Sequence, residues 1–351
     1  MSKALSDTLA AVPLPALMID GTERIVAANA AVRVLIGQGI EGRNYVTMLR
    51  QPAVIDAVEA VLRDSRPREA QYLANDGVQD TTFQVTVRVV ADHKAIMLCF
   101  LDVTHVEQAG QMRRDFVANV SHELRTPLTA LMGFIETLRG PARDDAAARD
   151  RFLDIMEGEA GRMNRLVGDL LSLSRVEGDE RVRPRDTVNL TDILSSVLRT
   201  LTPLADEAGV TFDQAFGAPS VDMVGDADQL MQVFTNLIEN AIKYGASGGR
   251  VTVQIDRARR DPALRVPGVR VHVIDYGAGI DSIHLPRLTE RFYRADSHRN
   301  RALGGTGLGL AIVKHIINRH RGRLRIDSTL GQGTQFTVIL PVQAPTQTDA
   351  G

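Results

Sequence analysis

Phe116-Val-Ala-Asn-Val-Ser-His-Glu-Leu-Arg-Thr-Pro-Leu128 is the stretch on which the reading of this chain turns. At about 100° per residue of helix, Val117, Val120, Leu124, Leu131, Phe134, Ile135 and Leu138 gather around a direction about 55° from Phe116, whereas His122 falls at about 240°. A lone histidine in an apolar helix is ordinarily a satisfied core residue, but this one is expected to project into solvent or toward another domain. Thr126 at i+4 and Asn119 at i−3 share its face. Glu123, next in sequence, can reach an imidazole nitrogen; a carboxylate there fixes the tautomer and raises the nucleophilicity of the other nitrogen. Pro127 removes the donor that would bond the Glu123 carbonyl, so a bend is expected one turn beyond the histidine. A proline inside a helix costs about 3 kcal/mol, which argues that this one is used.

The long helix has a partner. Gly140-Pro141 ends it, and a second helix follows with Phe152, Ile155, Met156, Met163, Leu166, Val167, Leu170 and Leu173 at three- and four-residue intervals, forming one apolar stripe. An isolated antiparallel pair would leave its stripes exposed, so residues 106–178 are expected to close a four-helix bundle in a homodimer. Upstream, residues 1–105 read as a small α+β domain. Leu14 to Ile19 and Ile25 to Ala28 flank the turn pair Asp20-Gly21, as in a hairpin. Helices are predicted for Asn29–Ile36 and Pro52–Leu62. A half-buried strand is predicted where Phe83, Val85, Val87 and Val89 alternate within Thr81–Val90. The turn Ala91–Lys94 then leads to a strand at Ala95–Val103. Downstream, a charged linker (179–187) precedes alternating helices and strands over 188–343, and the polar tail 344–351 is expected to fray.

Length and composition bound the function. At about 150 residues per domain, 351 residues suggest two to three domains. Forty-one Lys plus Arg against 43 Asp plus Glu leave a charge of −2, which argues against nucleic acid as a partner. The single cysteine, Cys99, excludes an intrachain disulfide framework and a Cys-rich zinc site, and a cytoplasmic location is expected. The longest early apolar run, Leu9 to Ile19, contains Pro13 and Pro15 and falls short of the about 20 residues of a spanning helix, so membrane association is not evident.

Four segments of the last domain carry polar chemistry. Asn236, Asn240 and Lys243 lie at i, i+4 and i+7 of one helix; amide oxygens suit a hard cation such as Mg²⁺, and a lysine suits phosphate. These residues alone fit a solvated helix face equally well. Asp275, at a strand end before Gly277 and Gly279, can accept from an exocyclic amine while the backbone passes close to a ring. Leu303-Gly-Gly-Thr-Gly-Leu-Gly-Leu310 opens a helix, whose free backbone donors make an anion site. The run lacks a Gly-Lys-Ser/Thr ending and dinucleotide spacing, so it is neither a P-loop nor a nicotinamide or flavin fingerprint.

Together these segments carry two resemblances. Residues 116–128 closely resemble the phosphoacceptor box of sensor histidine kinases. The order of the asparagine box, Asp275 with its glycines, Arg291-Phe292-Tyr293, Gly305 to Gly309, and Gly331-Gln-Gly-Thr334 resembles the ATP-binding domain shared by histidine kinases, gyrase, heat-shock and mismatch-repair ATPases. The first 105 residues more loosely resemble a PAS sensor domain ending in Asp102-Val103-Thr104. These resemblances imply a multidomain α+β protein: a PAS-like sensor, a two-helix dimerisation hairpin and an α/β-sandwich ATP domain. By resemblance His122 is the phosphorylated residue, Glu123 assists transfer, and Thr126 positions water for phosphatase activity. Asp275 reads adenine, Asn240 holds Mg²⁺, Asn236 supports it, and Lys243 meets phosphate. Tyr244 lines the pocket. Arg291 and Arg294 belong to a lid over ATP that ends in the phosphate-facing run Gly305, Thr306, Gly307, Leu308 and Gly309, and Thr334 sits in the last glycine segment. The implied function is ATP-dependent autophosphorylation and transfer to the aspartate of a response regulator. The segment through Gly140 looks most like the phosphate-regulon sensor branch, usually membrane-anchored, which points to phosphate-starvation signalling and to a possible peripheral place at the inner membrane. A gyrase-type ATPase without phosphotransfer sits poorly with the exposed His122 box, and a silent regulator-binding scaffold sits poorly with intact nucleotide segments.

Overall fold

The computed structural model describes residues 3–75, 80–90, 95–180, 182–216, 220–258, 260–295 and 305–342. The chain divides into two compact units, Met1–Ala118 and Asn119–Gly351.

In the first unit, α1 (Lys3–Ala10) precedes β1 (Ala16–Asp20) and β2 (Ile25–Ala28), then come α2 (Ala30–Ile36), α3 (Tyr45–Leu49) and α4 (Pro52–Asp64), followed by β3 (Arg68–Asn75), β4 (Asp80–Val90) and β5 (Ala95–Asp102). The strands form one antiparallel sheet in the order β2-β1-β5-β4-β3. The chain therefore leaves one edge through three helices, returns at the other edge, and closes the sheet by inserting β5 in the middle. The hairpin expected around Asp20 forms, and Asp20 Oδ1 accepts from the amides of Thr22 and Arg24 to shape its turn. Asn29 caps α2 by accepting from Val32 N, and Pro52 opens α4 where a missing amide costs nothing. Val54, Ala57, Val58 and Val61 of α4 bury against Leu17, Ile19, Val85, Val87, Leu98 and Phe100 of the sheet. The predicted alternation in β4 holds through Val87 but not at Val89, which is 40% exposed. The turn expected at 91–94 and the tail at 344–351 lie outside the described residues.

The second unit holds the histidine. α5 (Thr104–Arg139) runs continuously through Pro127, and α6 (Ala146–Asp179) starts at Asp145, whose side chain accepts from Ala148 N. Phe134 and Phe152 stack across the pair with centroids 5.3 Å apart. Leu166, Leu173 and Val176 are buried, while Leu128, Met132, Ile135, Leu153, Val167 and Leu171 keep substantial exposure. After α6 come β6 (Thr187–Asn189), α7 (Leu190–Glu207), β7 (Thr211–Phe216), β8 (Asp222–Val224), α8 (Ala227–Gly245), β9 (Arg250–Ala258), β10 (Gly268–Asp275), α9 (Gly309–Arg319), β11 (Arg323–Thr329) and β12 (Gly333–Pro341). A sheet in the order β11-β12-β10-β9-β7 is antiparallel except for the parallel pair β7/β9, and β6 pairs with β8 alone. α7 and α9 each pack on α8, and all three pack on this sheet. Their buried stripes include Leu194, Leu198 and Leu201 of α7, Phe234, Leu237 and Ile238 of α8, and Ile312 and Ile316 of α9.

One buried histidine ties α9 to α8. His320, just past α9, donates from Nδ1 to the Ile316 carbonyl at 2.8 Å and accepts at Nε2 from Asp226 N, 3.0 Å away at the cap of α8. That pattern requires the neutral ring, and burial pushes its pKa below the usual histidine value. A group whose folded pKa is depressed in this way favours the unfolded state once the unfolded chain takes up the proton. Stability from His320 is therefore complete above about pH 6.5 and is lost as pH falls below it. Thermal unfolding from pH 7.5 to 5.5 is expected to show Tm falling in the native chain and to show a flatter profile for His320→Gln.

Candidate functional site

α8, β10 and the start of α9 converge on a cavity of about 910 Å³. Asn236, Asn240, Lys243 and Tyr244 reach it from α8, Asp275 and Gly279 from the end of β10, Gly305, Thr306, Gly307 and Gly309 from the run into α9, Thr334 from β12, and Arg294 from the segment before the glycine run. Twelve positions named from sequence thus meet in one place. Of the others, Leu308 is buried and does not line the cavity, Gly277 backs Asp275, and Arg291 turns to Glu177 of α6, with Nη2 2.6 Å from its carboxylate. Leu303 and Gly304 lie outside the described residues.

The chemistry of the cavity follows from its partners. Asp275 is buried and accepts at Oδ1 from Gly277 N (3.0 Å) and Thr334 N (3.3 Å). Burial raises its pKa, against those two bonds. Both bonds fall on one oxygen, which leaves the other as the buried acceptor of the cavity. Close approach is built by glycine: a Cβ on Gly277 would stand 2.5 Å from the Tyr244 carbonyl. On Gly279, at φ +69, it would collide with the Thr329 carbonyl. Only the bare backbone fits there. α9 begins at Gly309 with no side-chain cap, so its first amides remain available to an anion. Asn236 Nδ2 donates to the Gly309 carbonyl at 3.4 Å and ties that helix start to α8. Lys243 pairs with Glu239 at 2.9 Å, and among the described residues the Asn240 amide carries no hydrogen bond, so its oxygen is open to a cation.

A third set of residues lines the cavity from outside the ATP-type fold. Arg165, Gly168 and Asp169 belong to α6, and Thr306 Oγ1 donates to Asp169 Oδ2 at 2.6 Å. Burial raises the Asp169 pKa, Glu239 adds to that, and the Thr306 hydroxyl opposes it. Ser172 bonds Gln232 of α8, and His315 of α9 meets Glu180 at 3.0 Å. None of these α6 residues was legible as a site residue, because they lie off its apolar stripe and meet the cavity only once the domain docks on that helix.

On α5 the histidine is exposed, as its helical angle predicts. Glu123 does not lean on the imidazole. Its Oε2 accepts from Arg162 of α6 at 3.0 Å, because that guanidinium offers a charge-assisted bond across the pair. Thr126 donates its hydroxyl to the His122 carbonyl at 3.2 Å, the ordinary bond of a threonine to the preceding turn.

An exposed histidine on a helix pair that carries a nucleotide-type cavity defines a phosphotransfer protein. The comparisons agree. The His Kinase A (phospho-acceptor) domain matches residues 112–179. The histidine kinase-, DNA gyrase B- and HSP90-like ATPase family matches residues 225–344. The phosphate regulon sensor protein PhoR of Pseudomonas aeruginosa is 36% identical over 339 residues, covering 95% of this chain and 73% of that protein. The sensor histidine kinase WalK of Bacillus subtilis is 36% identical over 267 residues, covering 76% of this chain and 43% of that protein. Histidine kinase ThkA, solved in complex with response regulator protein TrrA, shares the fold at a TM-score of 0.51 and 18% identity, over 98% of this chain and 99% of that one. The chain belongs to the sensor histidine kinases. It is an ATP-using protein-histidine kinase of mixed helix and sheet, and among the described residues no helix is long and apolar enough to cross a membrane.

Proposed function

We propose that ATP held in the cavity phosphorylates His122 and that the phosphoryl group passes to an aspartate of a response regulator. The observation that carries this reading is the docking of the cavity on the same helix pair that exposes His122. In the forward step an imidazole nitrogen attacks the γ-phosphorus, an N–P bond forms, the bond to the β-phosphate oxygen breaks, and ADP leaves. Lys243 and the amides at the start of α9 offset the charge on the phosphates, so positioning and electrostatics dominate the chemistry. Asp275 selects adenine by accepting from its amine, and Tyr244 lines the base pocket. Asn240, with its open amide oxygen, fits a hard cation, and Asn236 steadies the adjoining wall; Mg²⁺ held there would neutralise phosphate charge. Arg291 and Arg294 act in the lid with Gly305–Gly309. Glu123 accepts the proton on the second ring nitrogen and keeps the imidazole nucleophilic.

The wider organisation follows from the same features. We assign residues 1–105 to a PAS-like sensor, supported by the β2-β1-β5-β4-β3 sheet with its helices between β2 and β3. Residues 106–178 form the dimerisation and phosphotransfer hairpin, whose exposed Leu128, Met132, Leu153 and Leu171 are covered by a second copy. Residues 188–343 form the catalytic domain. The likeness to PhoR favours a phosphate-limitation signal, and the response-regulator complex of ThkA favours a receiver domain as the partner.

Incubation with γ-labelled ATP is expected to leave an acid-labile, alkali-stable mark on the protein, absent from His122→Gln although that variant keeps its fold and ATP affinity. Release of phosphate with no retained mark would instead indicate a gyrase-type ATPase.

The second expectation concerns Thr126, one turn from His122, whose hydroxyl can trade its bond to the helix for a water on a docked regulator. Thr126→Ala is expected to autophosphorylate within a few-fold of the native rate but to lose about 10-fold or more of regulator dephosphorylation. Decay of a phosphate-loaded regulator with ADP present measures this, and equal decay rates would leave Thr126 a structural residue.

A further inference from the structure

The pair Glu123–Arg162 joins α5 to α6 beside the acceptor histidine. Its nitrogen and oxygen are 3.0 Å apart, with the side chains 20% exposed for Arg162 and 32% for Glu123. The partners are 39 residues apart in sequence. The bond therefore cannot be explained as an i,i+4 pair that props up a single helix. The hairpin does not depend on it either, since Phe134 on Phe152 and the buried Leu166, Leu173 and Val176 supply apolar contacts.

The bond uses one carboxylate oxygen. Among the described residues Oε1 of Glu123 carries no hydrogen bond, so the carboxylate is held at one end and open at the other. A glutamate on an exposed helix face samples many rotamers, and each unproductive one lowers the fraction of time in which a proton can be accepted. A half-buried guanidinium removes most of that freedom. The same face of α6 continues to Arg165 and Asp169, at i+3 and i+7 from Arg162, and both line the nucleotide cavity. Seven residues of helix span about 10 Å, so Arg162 stands between the cavity wall and the residue next to His122.

We infer that Arg162 is a positioning residue for phosphotransfer: it acts through Glu123, holding that carboxylate in one rotamer beside His122. The inference rests on the reading of Glu123 as the residue that takes the imidazole proton. It gives α6 a part in the chemistry as well as in the docking, because one helix then carries both the clamp on the base and a wall of the nucleotide cavity.

The test uses the full chain with Mg-ATP and four variants: Arg162→Met, Arg162→Lys, Glu123→Gln and the double variant Arg162→Met/Glu123→Gln. The maximal rate of phosphorylation and the KM for ATP are measured, with helix content and oligomeric state as controls on folding. Arg162→Met is expected to lower the maximal rate about 10-fold or more, the scale of a misplaced proton acceptor, with KM within about two-fold of the native value. Arg162→Lys, which keeps the charge, is expected to recover part of the loss. On the Glu123→Gln background, Arg162→Met is expected to cost nothing further, as befits a residue acting through another. An unchanged or faster rate for Arg162→Met while Glu123→Gln is slow overturns the positioning role alone, and so does a full additional loss in the double variant. A Glu123→Gln protein with the native rate overturns the reading of Glu123 and the inference with it.

Discussion

The catalytic half of this protein depends on one hydrogen bond and the helix that provides it. Thr306 sits in the glycine run that opens α9, and its hydroxyl reaches Asp169 on α6. The bond lies at the stretch of α6 that walls the nucleotide cavity, and the rise of the helix separates that wall from Arg162, Glu123 and His122. The neighbouring contacts keep the same register. Ser172 meets Gln232, Arg291 meets Glu177, and His315 meets Glu180, so α6 and the residue after it are held against α8, the Arg291 segment and α9 together. A partly buried carboxylate whose pKa is raised by burial and by Glu239 is an expensive anchor, and the Thr306 hydroxyl, with the charges of Lys243 and Arg165, offsets the cost.

The second constraint is internal to the ATP-type fold. Asp275 can be buried at the end of β10 only because two backbone amides bond one of its oxygens, and those amides come close only where side chains are missing. Gly277 and Gly279 keep the turn after β10 against the Tyr244 and Thr329 carbonyls, and His320 holds the far ends of α8 and α9 in place. The cavity is therefore closely packed at its Asp275 end. Its other end is built from the glycine run and from α6, elements that a change in docking would alter together.

Much of this was legible in the sequence, for identifiable reasons. The two long helices and the exposed face of His122 follow from hydrophobic period, and the ATP segments follow from glycines and polar residues in a recognisable order. What stayed hidden has a different origin. β3 is an edge strand whose polar Arg68, Glu69, Gln71 and Asn75 mask its alternation, and α3 is too short for a helical period to show. α7 carries a clear apolar stripe but was absorbed into a general alternation of helices and strands. The partner of Glu123 could not be read at all: nothing local distinguishes Arg162 from the other arginines of α6, and the nearest candidate, the adjacent imidazole, lost to a full charge across the helix pair. Asp169 and Arg165 were hidden for the same reason, since a residue off the apolar stripe looks solvated until another domain is laid upon it.

The central claim, that α6 fixes the catalytic domain in register with His122, is open to a distance measurement in solution. In a Cys99→Ser background, cysteines placed at Ser172 and Gln232, which leave the Thr306–Asp169 bond in place, are bridged with a short bifunctional thiol reagent, and the products are sized under denaturing conditions. Rapid cross-linking within one chain is expected, and far slower reaction when the α6 cysteine is moved to Asn164, an exposed position about two turns away that does not line the cavity. Equal rates for the two pairs, or links formed only between chains, would contradict it.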